Sequence, residues 1–129
     1  MRPRVLVVED ERALAQVLAL RLESAGFDVE IASSGLEGLR RAMAWSPDAL
    51  LLDVRLPDMD GLELQSRLRS TPERAALPIV FLSANVQDCT RQTTLSQGAY
   101  AYLTKPYDPR EVVAALHAAI AARATRKEP

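Results

Sequence analysis

Five short apolar runs, each followed by a segment with a different pattern, constrain the fold of this chain more than any other feature. Apolar runs of this length, rich in β-branched side chains, are typical of strands buried in a sheet. The segments between them carry apolar residues at helical spacing. Strand and helix therefore alternate five times, and strands joined in this way lie parallel with right-handed crossovers. The sequence predicts an α/β fold of five βα units, a doubly wound five-stranded parallel sheet. The runs are Val5–Val8, Phe27–Ala32, Ala49–Leu52, Leu77–Leu82 and Ala99–Leu103.

The five predicted helices differ in the strength of their apolar stripes. The fourth, from Val86 to Gln97, is weak because threonines are poor helix formers. The last begins at Asp108-Pro109, and residues 125–129 form a polar tail after a single domain over residues 1–124. The residues predicted to face the sheet are Leu14, Val17, Leu18, Leu22 and Ala25 in the first helix, Leu36, Leu39 and Met43 in the second, Leu64 and Leu68 in the third, and Val112, Leu116, Ala119 and Ile120 in the last.

Composition excludes several classes of protein. The 129 residues are 48% hydrophobic and 26% charged, which fits one ordered domain with its own core. The formal net charge of −1 argues against a surface dedicated to nucleic acid or to a membrane. Cys89 is the only cysteine, so an internal disulfide is impossible, and no stretch has the length of a membrane span. We expect a cytoplasmic protein.

Polar side chains stand where four of the predicted strands end. Glu9 and Asp10 follow the first strand, Asp53 the third, Ser83 the fourth and Lys105 the fifth. The carboxyl ends of parallel strands share one edge of the sheet, where ligands bind. Three carboxylates placed together raise one another's pKa unless a cation compensates them. Oxygen ligands without histidine or cysteine favour Mg²⁺ over zinc.

A cation, a lysine and a hydroxyl at one edge suit a phosphoryl group, whose transfer depends on positioning and charge neutralisation. A carboxylate can act as the nucleophile and form an aspartyl phosphate, and Asp53 is the candidate acceptor. Each feature alone has an ordinary structural interpretation. An aspartate after a strand often forms a turn, and acids often begin a helix.

The motifs together resemble the response regulator receiver domain of two-component signalling, over about residues 4–123. They are Val7-Val8-Glu9-Asp10-Glu11, Leu52-Asp53 with Leu56-Pro57-Asp58-Met59-Asp60-Gly61, Leu82-Ser83-Ala84, and Gly98-Ala99 with Tyr102-Leu103-Thr104-Lys105-Pro106. The resemblance implies a flavodoxin-like sheet with strand order 2-1-3-4-5. It also implies a signalling phosphoacceptor rather than an enzyme, one that assists only its own phosphotransfer and autodephosphorylation.

The resemblance also implies a role for each motif residue. Asp53 would accept a phosphoryl group from a sensor histidine kinase or a histidine phosphotransfer protein. Glu9, Asp10, Asp53 and the backbone carbonyl of Arg55 would hold Mg²⁺, and Lys105 would contact the phosphoryl oxygens. Ser83 and Tyr102 would switch the face formed by the fourth helix, fifth strand and fifth helix.

That face would bind a downstream partner or an output domain. The resemblance also allows the chain to form a homodimer through this face. Tyr100 and Ala101 stand where the winged-helix branch of the family usually has two acids that join dimer salt bridges, which weakens that dimer.

Two alternatives stay open beside the receiver. An aspartate-nucleophile phosphatase would use the same carboxylate, although related phosphatases have an acid where this chain has Arg55. A module that binds a partner without phosphorylation would need none of the site residues. An FMN-binding protein of the same fold is disfavoured, because Glu9-Asp10-Glu11 would repel a phosphate.

Overall fold

The sheet is parallel and its five strands follow the order β2-β1-β3-β4-β5. The computed structural model describes residues 2–83, 88–105 and 107–127. The elements are β1 (Arg4–Val8), α1 (Arg12–Ser24), β2 (Asp28–Ala32), α2 (Gly35–Trp45), β3 (Ala49–Asp53), α3 (Gly61–Arg69), a short 3₁₀ helix (Pro72–Arg74), β4 (Ile79–Ser83), α4 (Asp88–Ser96), β5 (Ala101–Thr104) and α5 (Pro109–Lys127).

Two apolar layers cover the sheet, one on each face. Side chains of α1 and α5 pack on one face, and side chains of α2 and α3 pack on the other. The central strand β3 is buried on both sides, which explains why Leu50, Leu51 and Leu52 form an unbroken apolar run. The predicted doubly wound α/β fold and its strand order are confirmed.

Element boundaries moved by a few residues. The fourth strand begins at Ile79 rather than Leu77, and the fifth covers Ala101–Thr104 rather than Ala99–Leu103. The predicted start of the fourth helix at Val86 lies outside the described residues. The helix ends at Ser96, one residue before the predicted end at Gln97. The last helix continues to Lys127, into the segment expected as a polar tail. The assignment of residues 1–124 to the domain stays a prediction.

The predicted inward face of α2 was wrong for two of its three residues, whereas the third, Leu39, is partly buried and packs against the core. Leu36 and Met43 are exposed, while the residues that α2 buries are Gly35, Gly38 and Ala42. A Cβ added to Gly38 would lie 3.0 Å from a methyl carbon of Val8, so α2 packs on β1 through its smallest residues. Large apolar side chains are therefore left at the rim of the contact.

Val17 of α1 was also predicted inward, and it is exposed. Ala15, Leu18 and Leu22 are the buried residues of that helix. In α5 the prediction holds for Val112, Leu116 and Ala119, which are buried, and Ile120 packs against them. No helix within the described ranges combines the length and the apolar composition that a membrane span requires.

Candidate functional site

Three carboxylates meet at the edge of the sheet where β1 and β3 end. Glu9 directly follows β1, Asp10 comes next, and Asp53 is the last residue of β3. One oxygen from each of the three side chains lies within 4.8 Å of the other two. Glu9 is buried, Asp53 is half-buried and Asp10 is exposed, so the cluster opens toward solvent on the Asp10 side. The structure thus brings together the acids that the sequence placed at different strand ends.

Glu9 is buried without full compensation of its charge. Its Oε2 accepts a hydrogen bond from the backbone N–H of Glu11 at 3.2 Å. Its Oε1 is buried and has no hydrogen-bond partner within the described ranges of the chain. Burial raises the pKa of Glu9 to about 7, although the Glu11 N–H bond lowers it, and the nearby Asp53 charge adds to the rise.

Lys105 connects the fifth strand to this cluster. Its Nζ donates to Asp53 Oδ2 at 3.2 Å and lies 3.7 Å from Glu9 Oε1. Its backbone N–H donates to the carbonyl of Ser83 at 2.7 Å, which fixes the start of the β5–α5 connection against the end of β4. Partial burial lowers the pKa of Lys105, but the charge and hydrogen bond of Asp53, together with the Glu9 charge, raise it, and the net shift is upward. Lys105 is therefore held as a cation beside Asp53.

Ser83 and Tyr102 lie on the neighbouring strands β4 and β5. Ser83 is buried at the end of β4, where it is paired in register with Thr104. Tyr102 is also buried, with its ring centroid 6.2 Å from that of Phe81. The two predicted switch residues thus occupy adjacent strands, with Ser83 at the end of β4 and Tyr102 two residues before the end of β5. Pro106, the last residue of the motif that ends in Lys105-Pro106, lies outside the described residues.

The loop after Asp53 folds back on the strand. The backbone N–H of Arg55 donates to Asp53 Oδ1 at 2.9 Å, and Arg55 forms an isolated antiparallel bridge with Asp60. The N–H of Gly61 then donates to the Val54 carbonyl at 2.7 Å, which starts α3 directly beside the strand end. A Cβ on Gly61 would lie 2.8 Å from the Phe81 ring and 3.0 Å from the Asp53 carbonyl. Only glycine permits this approach.

Two residues near the site were given no role from the sequence, although Asp58 stands within one of the motifs. Asp58 accepts hydrogen bonds from the backbone N–H groups of Gly35 at 2.8 Å and Leu36 at 2.9 Å, so it caps α2 from a distant loop. Tyr107 is partly buried next to Lys105; burial raises the pKa of its hydroxyl, and the Lys105 charge lowers it. Nothing local in the sequence marks the Asp58 contact, whereas the position of Tyr107 two residues after Lys105 is a signal that could have been used.

The donor set fits a hard divalent cation. The candidate ligand atoms of the cluster are all carboxylate oxygens, and a cation would complete a buried carboxylate oxygen that has no hydrogen-bond donor within the described residues. One lysine cannot neutralise three acids by itself. The cluster is therefore suited to Mg²⁺ rather than to a softer metal.

Comparison with known proteins assigns the family. A family model described as the response regulator receiver domain matches residues 5–117. The chain belongs to the response regulator receiver domain family. Among curated relatives, the alkaline phosphatase synthesis transcriptional regulatory protein PhoP of Bacillus subtilis (strain 168) is 40% identical over 118 residues, which are 92% of this chain and 48% of PhoP. The phosphate regulon transcriptional regulatory protein PhoB of Rhizobium meliloti (strain 1021) is 41% identical over 118 residues, 92% of this chain and 52% of PhoB.

The receiver domain thus spans about half the length of the curated relatives it matches. Solved structures agree with the family assignment. A receiver domain protein described as CheY-like from Methanospirillum hungatei JF-1 superposes with a TM-score of 0.91 at 27% identity, covering 98% of this chain and 99% of that one. A sensor protein from Polaromonas sp. JS666 gives 0.89 at 32% identity, covering 95% and 99%. The predicted resemblance to two-component receiver domains is confirmed.

Proposed function

We propose that Asp53 accepts a phosphoryl group from a phosphohistidine of a sensor histidine kinase or of a histidine phosphotransfer protein. The observation that carries this proposal is the contact of Asp53 with Lys105 inside the cluster of three acids. A carboxylate held beside an ammonium group and a site for a divalent cation is suited to receive a phosphoryl group, because both positive charges attract its oxygens.

Glu9, Asp10, Asp53 and the backbone carbonyl of Arg55 would hold Mg²⁺. When bound, the ion neutralises the crowded acids and the charge on the phosphoryl oxygens. Arg55 already lies in a loop fixed by its N–H bond to Asp53 and by its bridge to Asp60. These contacts support the assignment of the fourth ligand to this residue.

The transfer involves one covalent step at the receiver, in which one bond forms and one bond breaks. An oxygen of the Asp53 carboxylate forms a bond to phosphorus while the phosphorus–nitrogen bond of the donor histidine breaks. The electron pair of that bond stays on the histidine nitrogen. The ring leaves as neutral imidazole if its other nitrogen is protonated, and otherwise it becomes neutral by taking one proton from solvent. Lys105 stays charged throughout and orients the phosphoryl oxygens, so the receiver assists its own phosphotransfer and the later autodephosphorylation without acting as an enzyme on other substrates.

The output of the receiver would follow from Ser83 and Tyr102. Ser83 is buried one position beyond the residue that pairs with Asp53 in register, so its hydroxyl is a candidate donor to the new phosphoryl oxygens. Tyr102 lies on the adjacent strand, and its side chain would pack into the space that Ser83 leaves when it turns toward the phosphoryl group. The surface of α4, β5 and α5 would then bind a downstream partner or an output domain, or a second copy of the chain.

Two further points belong to the same proposal. The domain itself would not contact nucleic acid or a membrane, since its formal net charge is −1. The named donors of the phosphoryl group act in the cytoplasm, and we propose that location for this chain.

Mass spectrometry of the intact protein tests the acceptor directly. We expect one added phosphoryl mass after incubation with acetyl phosphate and Mg²⁺, in the wild type and in the control Asp28→Asn. Asp28 is an exposed aspartate at the start of β2, at the opposite end of the strands from the cluster. In Asp53→Asn the added mass should be absent.

Other outcomes would change the assignment. An equal phosphoryl mass on Asp53→Asn would place the acceptor elsewhere and reject the proposal. Rapid release of inorganic phosphate from many phosphoesters, with dependence on Asp53, would support the phosphatase alternative. A protein that takes up no phosphoryl group from acetyl phosphate or from a phosphorylated histidine donor would instead support a module that only binds a partner.

A further inference from the structure

The described part of α4 has little apolar anchorage. Among its side chains that the structure describes, residues 92–96, only Thr94 is buried, and Leu95 is 38% exposed. Helices in proteins are stabilised mostly by packing of an apolar face. Something other than apolar burial must therefore help to hold the C-terminal half of this helix in place.

The C-terminal end of α4 is closed by a Schellman motif. Gly98 has a φ of +101°, a left-handed conformation that favours glycine. The N–H of Ala99 donates to the Thr94 carbonyl at 3.0 Å, and the N–H of Gly98 donates to the Leu95 carbonyl at 3.1 Å. The motif gives the end of α4 a defined shape, with carbonyl oxygens that can accept further hydrogen bonds.

Two side chains of α3, one helical turn apart, bind this end of α4. Gln65 Nε2 donates to the Thr94 carbonyl at 3.1 Å. The Arg69 guanidinium donates through Nη2 to the Gly98 carbonyl at 2.9 Å and through Nη1 to the Leu77 carbonyl at 2.8 Å. Arg69 is thereby fixed against the start of β4 while it holds Gly98. Both contacts join residues 29 positions apart in the sequence.

Gln65 contributes less to stability than an apolar residue of similar size would at the same position. Its side chain is fully buried, and its Oε1 has no hydrogen-bond partner in the described part of the chain. A buried acceptor without a donor is destabilising. The Thr94 carbonyl would keep its hydrogen bond from Ala99 if Gln65 were apolar, so an apolar residue of similar size would leave no polar atom unpaired.

We propose that Gln65 is a positioning residue that, together with Arg69, anchors the C-terminal end of α4 to α3. The proposal rests on the function proposed above, because it concerns the face that would respond to a phosphoryl group on Asp53. α3 begins at Gly61, whose N–H binds the carbonyl next to Asp53, so α3 is fixed to the site at one end and to α4 at the other. The rest of α4 then moves about this anchored end when the receiver is phosphorylated.

Amide hydrogen exchange on the full chain tests the anchor. The amides of Gln97, Gly98 and Ala99 donate the hydrogen bonds that close α4, so their exchange reports this end of the helix. The variant is Gln65→Met, and Leu68→Met, a change at a buried position of the same helix, is the control. Each protein is measured alone and with acetyl phosphate plus Mg²⁺, and its unfolding is followed in denaturant.

We expect the three amides to exchange about fivefold faster in Gln65→Met, the factor for loss of one hydrogen bond, with no loss of global stability. Phosphorylation should leave them within about twofold in the wild type and in Leu68→Met, and should accelerate them further only in Gln65→Met. Arg69→Lys, which keeps the charge but cannot span both carbonyls, should give the same response if Gln65→Met does not fold.

Three results would overturn the anchor. The first is unchanged exchange of these amides in Gln65→Met, and the second is an equal rise in Leu68→Met. The third is a wild-type response to phosphorylation as large as that of the variant. If acetyl phosphate adds no mass to any of the proteins, the proposed function fails, while the measurements without acetyl phosphate still decide whether Gln65 anchors α4.

Discussion

Charged side chains have opposite effects on stability at the two edges of the sheet. At the amino edge, formed by the start of β1, β4 and β5 with the ends of α2 and α3, arginines donate to backbone carbonyls. Arg4 donates to the Trp45 carbonyl at 2.7 Å, and Arg74 donates to the Ala42 carbonyl at 2.7 Å. At the carboxyl edge, formed by the strand ends with Glu9, Asp53 and Lys105, three acids cluster and Lys105 pairs with two of them, Glu9 and Asp53. The arginines at the amino edge stabilise the fold, whereas the clustered carboxylates at the carboxyl edge repel one another and reduce its stability.

This difference separates structural from functional charge. Each arginine of the amino edge satisfies carbonyls that the end of a helix or the start of a strand leaves open. At the carboxyl edge, Glu9 Oε1 has no donor within the described residues, and burial, to which the nearby Asp53 charge adds, raises the pKa of Glu9 to about 7. Clusters of perturbed acids are typical of functional sites, because a ligand supplies the compensation that the protein withholds. Mutations at the two edges should therefore have opposite effects on stability.

The largest effect is expected at the amino edge. Arg74→Ala removes donors to the carbonyls of Ala42 and Met43 and to Ser46 Oγ, which together close the C-terminal end of α2. We expect the free energy of unfolding to fall by about 2–3 kcal/mol, measured by chemical denaturation. Uptake of a phosphoryl group by the folded protein should persist, since Asp53 lies at the other edge.

Arg40→Ala is the matched control, because Arg40 is an exposed arginine on α2, the helix whose end Arg74 closes. It should change stability by less than about 0.5 kcal/mol. Equal stabilities of the two variants would break the comparison, since the amino-edge arginines would then contribute no more than a surface charge.

A smaller effect of opposite sign is expected at Glu9. In buffer without Mg²⁺ at pH 8, Glu9→Gln should raise the free energy of unfolding by roughly 1–2 kcal/mol, because it removes a buried charge that lacks full compensation. Glu23→Gln, an exposed position on α1, is the control and should have no such effect. A loss of stability in Glu9→Gln would mean that the ionised Glu9 stabilises the fold.

The pH dependence gives the same contrast in the wild type. The pKa of Glu9 is raised from 4.5 to about 7 in the folded protein, so the folded state binds more protons than the unfolded state between these values. The contribution of Glu9 to stability is therefore full below pH 4.5 and is lost as pH rises through about 7. Without Mg²⁺, the wild type should lose stability over this interval relative to Glu9→Gln. Parallel pH profiles of the two proteins would contradict the assignment.

The sequence predicted the five parallel strands and the contents of the carboxyl edge because both depend on local pattern, whereas the order of the strands was implied by the family resemblance. A buried strand is an unbroken apolar run, and a polar residue that ends such a run lies at the edge of the sheet. Asp53 and Lys105 therefore could be paired from the sequence, and they lie 3.2 Å apart at the nearest atoms. The roles of the site residues remain predictions until the mass measurement is made.

The features that the sequence did not predict depend on distant contacts. Gly38 packs against Val8 at the closest approach of α2 to the sheet, so the apolar Leu36 and Met43 are left outside, against the ordinary reading of helical periodicity. Arg74 closes a helix that ends about 30 residues earlier, and nothing around it in the sequence marks that role. Such contacts depend on how elements meet, which no local pattern records.

The central claim is that the carboxyl edge is built to be completed by a cation at Asp53 and its neighbouring acids. The most direct test is the free energy of unfolding as a function of Mg²⁺ concentration at pH 8, for the wild type and for Asp53→Asn. The wild type should gain stability with a slope that approaches about 1.4 kcal/mol per tenfold rise in Mg²⁺ above the dissociation constant, and the variant should gain much less. Equal slopes for the two proteins, or no gain in the wild type, would contradict the account.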